Sequence, residues 1–326
     1  MSSYKPSGSL LARLGRLAGD LIASLGPRGG RLCIVNYHRI LETADPLLGA
    51  EPDIATFRWQ MKLLADCFNV MPLHEALAAL NEDRIPPRAV CITFDDGYRS
   101  THDLALPILR EFNLSATVFV TSGYVGEGSM WNDRILESVR KIDSSTLDLR
   151  EDGLGFFPLS SLNERKEAVL TLTEKAKYLP PPKRQALIDR LDQMAGIYQP
   201  DPMLTEEMIR TLSQQQVEIG AHTVSHPILT SLVDAKARQE ITESKHQLER
   251  ITGKPVRYFA YPNGKPGTDF DERHVAMARD AGYSAAFTTA IGAATAADNQ
   301  FTIPRSRPWD ATRMFFGFRL LRWLGQ

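Results

Sequence analysis

Two adjacent carboxylates, Asp95 and Asp96, stand where the apolar run Ala89–Phe94 meets a glycine, Gly97. In parallel α/β proteins the ligand site lies beyond the carboxyl ends of the strands, so this position brings both acids to the functional edge. Adjacent residues of a strand point to opposite sides, which lets one acid bind a cation while the other takes a different role. The alternative for this pair is a helix N-cap with an acidic neighbour.

Two histidines, His222 and His226, follow a second strand-like run, Val217–Gly220. Their spacing of four residues allows both imidazoles to face one point. Two imidazoles and one carboxylate form a ligand set suited to a borderline divalent ion with open coordination positions, as catalytic zinc or non-haem iron requires. The alternative is a pair of surface histidines without a metal. Because both motifs follow strands at the same edge, the sequence favours a metal centre.

The elements that position these residues alternate between strands and helices. Seven β-rich runs are bounded by turn residues: Leu32–Asn36, Ala89–Phe94, Ala116–Val120, Val217–Gly220, Arg257–Ala260, Ser284–Thr288 and Phe301–Pro304. Between most of them lie segments of helical periodicity: Ile54–Ala65, His102–Phe112, Thr205–Gln214, Val233–Ile251 and Asp271–Ala281. This alternation predicts an α/β fold with parallel strands joined by crossover helices, as an open sheet or a closed barrel.

The regular spacing is interrupted between Gly123 and Pro202, where glycine and proline clusters punctuate a charged, mostly helical stretch without strand signals. We interpret residues 124–203 as a helical insertion after the third strand. Residues 31–307 then form one barrel-sized domain that carries this insertion.

Both ends of the chain interleave apolar residues with arginines. Residues 1–30 form a predicted N-terminal amphipathic segment, and residues 308–326 a predicted C-terminal amphipathic helix. Such segments can lie on an anionic membrane surface. The alternative is that they pack on the barrel with their arginines reaching solvent.

The composition of the chain limits the class of binding partner and the cellular compartment that we expect. The chain has 326 residues, and 38 Lys+Arg against 39 Asp+Glu give a formal charge of −1, which argues against a nucleic-acid partner. Two of its three cysteines, Cys33 and Cys91, lie in apolar runs and are predicted to be core residues. We expect a cytoplasmic protein, with membrane association through the terminal segments as an open alternative. No oligomeric state is indicated.

The paired motifs resemble a known family. Thr93-Phe94-Asp95-Asp96-Gly97 together with His222-Thr223-Val224-Ser225-His226 is similar to the polysaccharide deacetylases (NodB-homology domain, carbohydrate esterase family 4), over roughly residues 31–307. The resemblance implies a distorted (β/α)7 barrel and metal-dependent removal of acetyl groups from N-acetylated sugars. It also implies that Asp96, His222 and His226 are metal ligands and that Asp95 is the catalytic base. The implied cofactor is a divalent ion, Zn²⁺ first and other first-row ions as alternatives.

The sequence departs from the family pattern at two places. The arginine that usually orients the base is replaced by Ala260, and we propose Arg305, after the last predicted strand, as its substitute. The usual terminal histidine is also missing. His38, in a Tyr-His-Arg-Ile run at the exit of the first strand, is the candidate general acid, with a turn-ordering role as the alternative. The backbone N–H of Tyr98 is the candidate oxyanion donor.

Aromatic residues near the predicted edge suggest a sugar groove. Trp131 opens the insertion, and Tyr261 and Pro262 follow the fifth strand. Flat apolar rings suit the faces of pyranose rings, although each of these residues could equally serve packing.

These features predict a metal-dependent deacetylase of an N-acetylated polysaccharide, oligosaccharide or lipid-linked glycan, in which an Asp base accepts the proton of a metal-activated water. Two alternatives remain open. One is a metal-dependent hydrolase of a small non-glycan amide. The other is a carbohydrate-binding protein with impaired catalysis, which the missing arginine and histidine would explain.

Overall fold

The computed structural model describes residues 30–126, 128–196, 202–307, 310 and 312–325. The predicted N-terminal amphipathic segment, residues 1–30, therefore lies outside the described residues except for Gly30. Among the helices of the described ranges, none combines the length and the apolar character that a membrane crossing requires.

The core of the molecule is one curled sheet of seven parallel strands. They are β1 (Leu32–Tyr37), β2 (Asn69–Val70), β3 (Ala89–Phe94), β4 (Ala116–Val120), β7 (Val217–Ala221), β8 (Tyr258–Ala260) and β9 (Ala285–Phe287). The order across the sheet is β1-β3-β4-β7-β8-β9, and the two-residue strand β2 pairs with the start of β3. Helices cross between successive strands, as parallel pairing requires.

The chain after β9 joins the two edges of the sheet. The Thr288 N–H donates to the Ile303 carbonyl at 2.9 Å, and the Asn36 N–H donates to the Ser306 carbonyl at 3.0 Å. The predicted seventh strand, Phe301–Pro304, is thus reduced to isolated parallel bridges, although it occupies the expected place. The predicted distorted (β/α)7 barrel is confirmed.

Helices cover the outside of the sheet, and strand alternation separates two apolar layers. Cys33 and Val35 pack outward against the helices, whereas Leu32 and Ile34 face the barrel interior. The covering helices span Ile54–Cys67, Leu106–Glu111, Glu206–Gln214, Asp234–Thr252 and Glu272–Asp280. The helix Leu73–Asn81 packs instead against the interior layer. Cys33 and Cys91 are buried, as predicted.

The insertion follows β4, the third of the predicted strands, and has its own apolar core. Its helices span Trp131–Lys141, Leu162–Ala176 and Pro181–Ala195. An antiparallel pair, β5 (Thr146–Leu149) and β6 (Gly155–Pro158), lies between the first two helices. The sequence did not predict this pair. Each strand has only four residues, which leaves little periodicity to detect.

A last helix, Arg313–Gly325, lies within the predicted C-terminal amphipathic segment. Phe316, Leu320 and Trp323 are buried on its inner face. The Phe316 ring meets the ring of Trp59, in the helix Ile54–Cys67, edge-on at 5.6 Å. The inner face therefore packs on the barrel.

Candidate active site

Asp95 lies inside the upper end of the barrel. In β3 the side chain of Cys91 faces the interior, so alternation also turns Thr93 and Asp95 inward. The Asp95 N–H donates to the Tyr37 carbonyl at 2.9 Å, which extends the β1–β3 pairing by one residue. The Asp95 carboxylate is only 2% exposed and needs compensating partners.

Arg305 supplies the main compensation. Its Nη1 donates to Asp95 Oδ1 at 2.7 Å and its Nη2 donates to Oδ2 at 2.8 Å, which is a bidentate pair. Burial alone would raise the pKa of Asp95, but the charge and hydrogen bonds of Arg305 outweigh it and hold that pKa well below its usual range. Asp95 is therefore an ionised acceptor. The structure brings Arg305 to the position that the sequence proposed for it.

A residue that the sequence analysis missed completes the support of Asp95. Asn36, at the end of β1, donates from Nδ2 to Asp95 Oδ2 at 2.9 Å and is 2% exposed. Its backbone register partner is Thr93, whose hydroxyl accepts from Arg305 Nη1 at 3.3 Å. A polar residue at an inward position of an otherwise apolar strand was the available signal.

Asp96 reaches the same cavity because the chain turns sharply after β3. Asp96 has φ +73° and Gly97 has φ +89°, both in the left-handed region. Aspartate tolerates this region better than most side chains, and glycine adopts it without steric cost. A Cβ on Gly97 would also lie 3.0 Å from Val120. The Asp-Asp-Gly order thus directs the two carboxylates to different partners.

His222 and His226 face Asp96. The Nε2 atoms of both histidines lie 3.5 Å from Asp96 Oδ1. The ligand atoms of the three residues lie within 4.8 Å of one another. His222 Nδ1 is 2.7 Å from the Ala260 carbonyl, so the ring donates its proton there and leaves the Nε2 lone pair toward Asp96. Ala260, which stands in the place of the family arginine, therefore orients His222 through its backbone carbonyl.

The loop between the two histidines is held by Glu240, from the helix Asp234–Thr252. Its Oε2 accepts from the N–H groups of Val224 and Ser225 at 2.8 Å each, and its Oε1 accepts from the Ser225 hydroxyl at 2.7 Å. His226 itself has φ +54°, which gives the imidazole its inward direction. No sequence signal distinguished Glu240 from the other acids of its helix.

The donor set fits a divalent cation. Asp96 Oδ1 is buried and has no hydrogen-bond partner within the described part of the chain. Burial and the neighbouring charges of Asp95 and Asp133 raise the pKa of Asp96 well above its usual range. Burial lowers the pKa values of His222 and His226, so both rings are neutral and carry a free lone pair. A cation at this point would satisfy all three groups, and two nitrogens with one oxygen suit zinc and its first-row neighbours.

The site opens into a cleft of about 980 Å³. Its floor is formed by Asp95, Asp96 and the two histidines, and the insertion helix Leu162–Ala176 and the C-terminal helix supply parts of its walls. Such a volume is in the range of ligand pockets. A cleft with a metal-type ligand set and an ionised acceptor at its floor can support the hydrolysis of an acyl bond.

His38 also lines the cleft. Burial lowers the pKa of His38 well below its usual range, and the charge of Arg307 lowers it further. The ring is therefore neutral near pH 7. The role of His38 as the general acid stays a prediction.

Tyr98 is anchored through its side chain. The Tyr98 hydroxyl donates toward Asp133 Oδ2 at 3.1 Å and accepts from Arg39 Nη2 at 2.6 Å. These bonds fix the residue that follows the Asp-Asp-Gly turn. Its backbone N–H as oxyanion donor also stays a prediction.

The expectation of sugar contacts at Tyr261 and Pro262 is wrong. Tyr261 is fully buried, stacks on Phe270 at 3.8 Å and donates to the Phe301 carbonyl at 3.0 Å, so no face is left for a sugar ring. Pro262 is buried beside it. The same loop lines the cleft through Asn263 instead.

Trp131 lies at the wall of the cleft but is only 5% exposed. The guanidinium of Arg184 covers its ring at 4.8 Å. Most of the ring therefore packs within the insertion, and contact with a substrate is confined to its edge.

The family model for polysaccharide deacetylases matches residues 82–286, a range that contains both acidic residues and both histidines of the site. The chain belongs to the polysaccharide deacetylase family. Arg305 lies outside the matched range, in the segment that follows β9.

Known proteins of this family are similar over different lengths. YxkH of Bacillus subtilis (strain 168), described as a polysaccharide deacetylase, is 21% identical over 279 residues, which cover 85% of this chain and 71% of that protein. The poly-beta-1,6-N-acetyl-D-glucosamine N-deacetylase of Staphylococcus epidermidis is 28% identical over 137 residues, which cover 38% of this chain and 45% of that protein. The chain thus matches less than half of the length of the second relative.

The solved structure of the Streptococcus pyogenes deacetylase PplD in complex with acetate has a TM-score of 0.59 and 20% identity to this chain. The similarity covers 90% of this chain and 98% of that one. It shows that the two chains share one fold.

Proposed function

We propose that this protein is a metal-dependent deacetylase that hydrolyses the N-acetyl group of an N-acetylated sugar. The observation that carries the proposal is the pairing, at the floor of one cleft, of a three-residue cation site with an ionised carboxylate held by Arg305. The ligands would be Asp96, His222 and His226. The bound ion would supply Lewis-acid chemistry, lowering the pKa of water and polarising a carbonyl oxygen.

Asp95 is the base in this proposal. Its carboxylate is ionised, and Arg305 and Asn36 fix its plane, so it accepts the proton of the attacking water without a change in position. The Tyr98 N–H would donate to the oxyanion that forms on the acetamide carbonyl. Asp95 then gives the departing amine the proton that it received in the first step. The neutral ring of His38 would orient that amine through a hydrogen bond.

The arginine fork argues against a protein with impaired catalysis. The family arginine is absent at Ala260, but Arg305, from the segment that runs between β9 and β1, holds the Asp95 carboxylate instead. An Asp-Asp pair with two separate partners is also intact, so both halves of the hydrolytic machinery are present.

The substrate class is argued from the relatives. One of them is named as a poly-beta-1,6-N-acetyl-D-glucosamine N-deacetylase, which favours polymers of N-acetylglucosamine as the first compounds to examine. The test is acetate release from poly-N-acetylglucosamine, chitooligosaccharides, peptidoglycan fragments and lipid-linked sugars, combined with metal analysis of the purified protein.

Two variants separate the roles. Asp95→Asn should abolish acetate release and keep the metal, because Asn cannot accept the proton and Asp95 is not a ligand. His222→Ala should lose metal content together with activity. Full activity of the Asn variant, or a metal-replete His222→Ala protein, would contradict the assignment of roles. Release of acetate from a small amide but from none of the glycans would favour the non-glycan hydrolase.

A further inference from the structure

The C-terminal helix Arg313–Gly325 has an apolar face that the barrel does not cover. Its inner face is buried against the helix Ile54–Cys67, but Met314, Phe315 and Phe318 on the outer face are 61%, 60% and 60% exposed. Exposed large apolar side chains are ordinary when single, whereas three neighbours on one helical face mark an interaction surface. We call these three residues the outer apolar face.

Cations surround this face. The helix contains Arg313, Arg319 and Arg322 and no acidic residue. All three arginines are exposed, and Arg319 reaches back to Asp310 at 2.8 Å. Phe318 and Arg319 are adjacent, and Phe315 and Arg322 are two helical turns apart on the same side. Aromatic rings mixed with arginines are the composition of helices that lie in the interface of an anionic bilayer.

The exposed area favours a lipid surface over a second copy of the chain. At about 200 Å² for a large side chain, three side chains at this exposure present roughly 350 Å². A stable dimer buries about 800 Å² on each partner, so the outer apolar face alone is too small for one. A row of cations would also face itself across a symmetric contact, and like charges repel.

The same helix borders the catalytic cleft. Arg319 and Trp323 line the cleft. Arg319 lies one helical turn after Phe315 and directly follows Phe318. Two more exposed apolar residues of the cleft lining, Leu170 at 70% and Ile291 at 73%, lie at the mouth of the same cavity. The helix that carries the outer apolar face therefore also forms part of the cleft wall.

We propose that Met314, Phe315 and Phe318, with Arg313 and Arg322, dock the protein on an anionic membrane surface, on the helix that also lines the cleft. The rings enter the interface between headgroups and acyl chains, and the arginines pair with lipid phosphates. The helix lies along the surface because its inner face stays packed on the barrel. The docking does not depend on the deacetylase activity proposed above.

The test uses the full chain and vesicles of two compositions, pure phosphatidylcholine and phosphatidylcholine with 30% phosphatidylglycerol, in a sedimentation assay. The wild type should bind the anionic vesicles at least tenfold more tightly, and binding should weaken as salt is raised. The double variant Phe315→Ser, Phe318→Ser should lose at least tenfold in partition coefficient. The matched control is Phe156→Ser, which removes an aromatic side chain that is 50% exposed on the insertion.

A second pair of changes separates charge from apolar contact. Arg313→Gln with Arg322→Gln should weaken binding to the anionic vesicles roughly tenfold or more and leave the weak binding to neutral vesicles unchanged. Thermal unfolding should show that every variant keeps its fold, since these side chains are exposed.

Three outcomes would overturn the proposal. Equal binding to both vesicle types would exclude anionic lipid as the partner. Unchanged binding of the Phe double variant would place the contact on another segment, residues 1–29 first. A dimer in solution that the Phe double variant dissociates would assign the outer apolar face to a second copy of the chain.

Discussion

Asp95 and Arg305 are joined by two parallel hydrogen bonds inside the barrel, where neither group meets bulk water. The fork fixes both the charge and the plane of the carboxylate. A lysine at position 305 could supply the charge but only one directed bond, so the carboxylate could rotate. The orientation of the Asp95 carboxylate, rather than its ionisation alone, therefore depends on arginine.

We predict that Arg305→Lys lowers kcat about 100-fold and leaves metal content unchanged, because a small misplacement of a catalytic group is costly. Arg305→Ala should lower kcat further. It should also lower the free energy of unfolding by about 3 kcal/mol, since it leaves a buried carboxylate without its charge partner. Acetate release, metal analysis and urea unfolding measure the three effects. Arg257→Ala, which removes an exposed arginine paired with Glu218, is the matched control. A Lys variant with wild-type kcat would show that the fork does not position the base.

At the scale of elements, the two histidines of the candidate cation site depend on a helix that contributes no residue to that site. Glu240 accepts three hydrogen bonds from the loop that carries His226, and that loop has residues in the left-handed region. Such a backbone conformation persists only where neighbouring contacts hold it. The helix Asp234–Thr252 thus supports the loop of the candidate cation site.

Glu240→Ala should lower metal affinity 10- to 100-fold, the usual effect of removing a group that orients a ligand. A competition titration with a chelating dye measures this affinity. Glu243→Ala is the matched control, because Glu243 is exposed on the same helix. Its carboxylate accepts from Gln247 Nε2 at 3.1 Å, on the same helix and away from the loop. Equal metal affinity of the two variants would mean that the loop holds its shape without Glu240.

The sequence predicted those elements whose signals are local. Strand runs such as Ala89–Phe94 keep their bounds in the structure, because an apolar run that ends in a glycine turn is visible in one segment. β2 was missed because two residues carry no periodicity. The error at Tyr261 has another cause: position after a strand suggested the cleft, but the side chain turns into the core to stack on Phe270.

The site was predictable where residue type alone restricts the chemistry. Paired acids and paired histidines indicated a cation site, and Arg305 was found because the base needed a cationic partner at that edge. Asn36 and Glu240 were missed because their roles arise from tertiary contacts. Asn36 and Arg305 are separated by 269 positions and yet share Asp95 as a partner. No local sequence pattern predicts a contact between residues so far apart in the chain.

On the scale of the whole molecule, a polar contact beside the site joins the insertion to the barrel. Asp133 lies in the first helix of the insertion and pairs with Arg39, a residue shortly after β1. It also accepts a hydrogen bond from the hydroxyl of Tyr98, a residue shortly after β3. The side chain of Arg39 is 16% exposed and that of Asp133 is 5% exposed. The guanidinium of Arg39 also lies 4.0 Å from the centre of the Tyr98 ring. This contact ties the cleft wall to its floor.

Asp133→Ala should therefore cost about 3 kcal/mol in the free energy of unfolding, because it leaves the Arg39 guanidinium without its partner in a largely buried place. The double variant Arg39→Met, Asp133→Leu should recover much of that loss, since it removes both charges and keeps apolar volume. Urea unfolding measures both, and Asp143→Ala, at an exposed acid of the same insertion, is the control. If Asp133→Ala unfolds at the wild-type midpoint, the remaining contacts of the insertion, the Arg140–Asp45 ion pair among them, hold it on the barrel without the Arg39 pair.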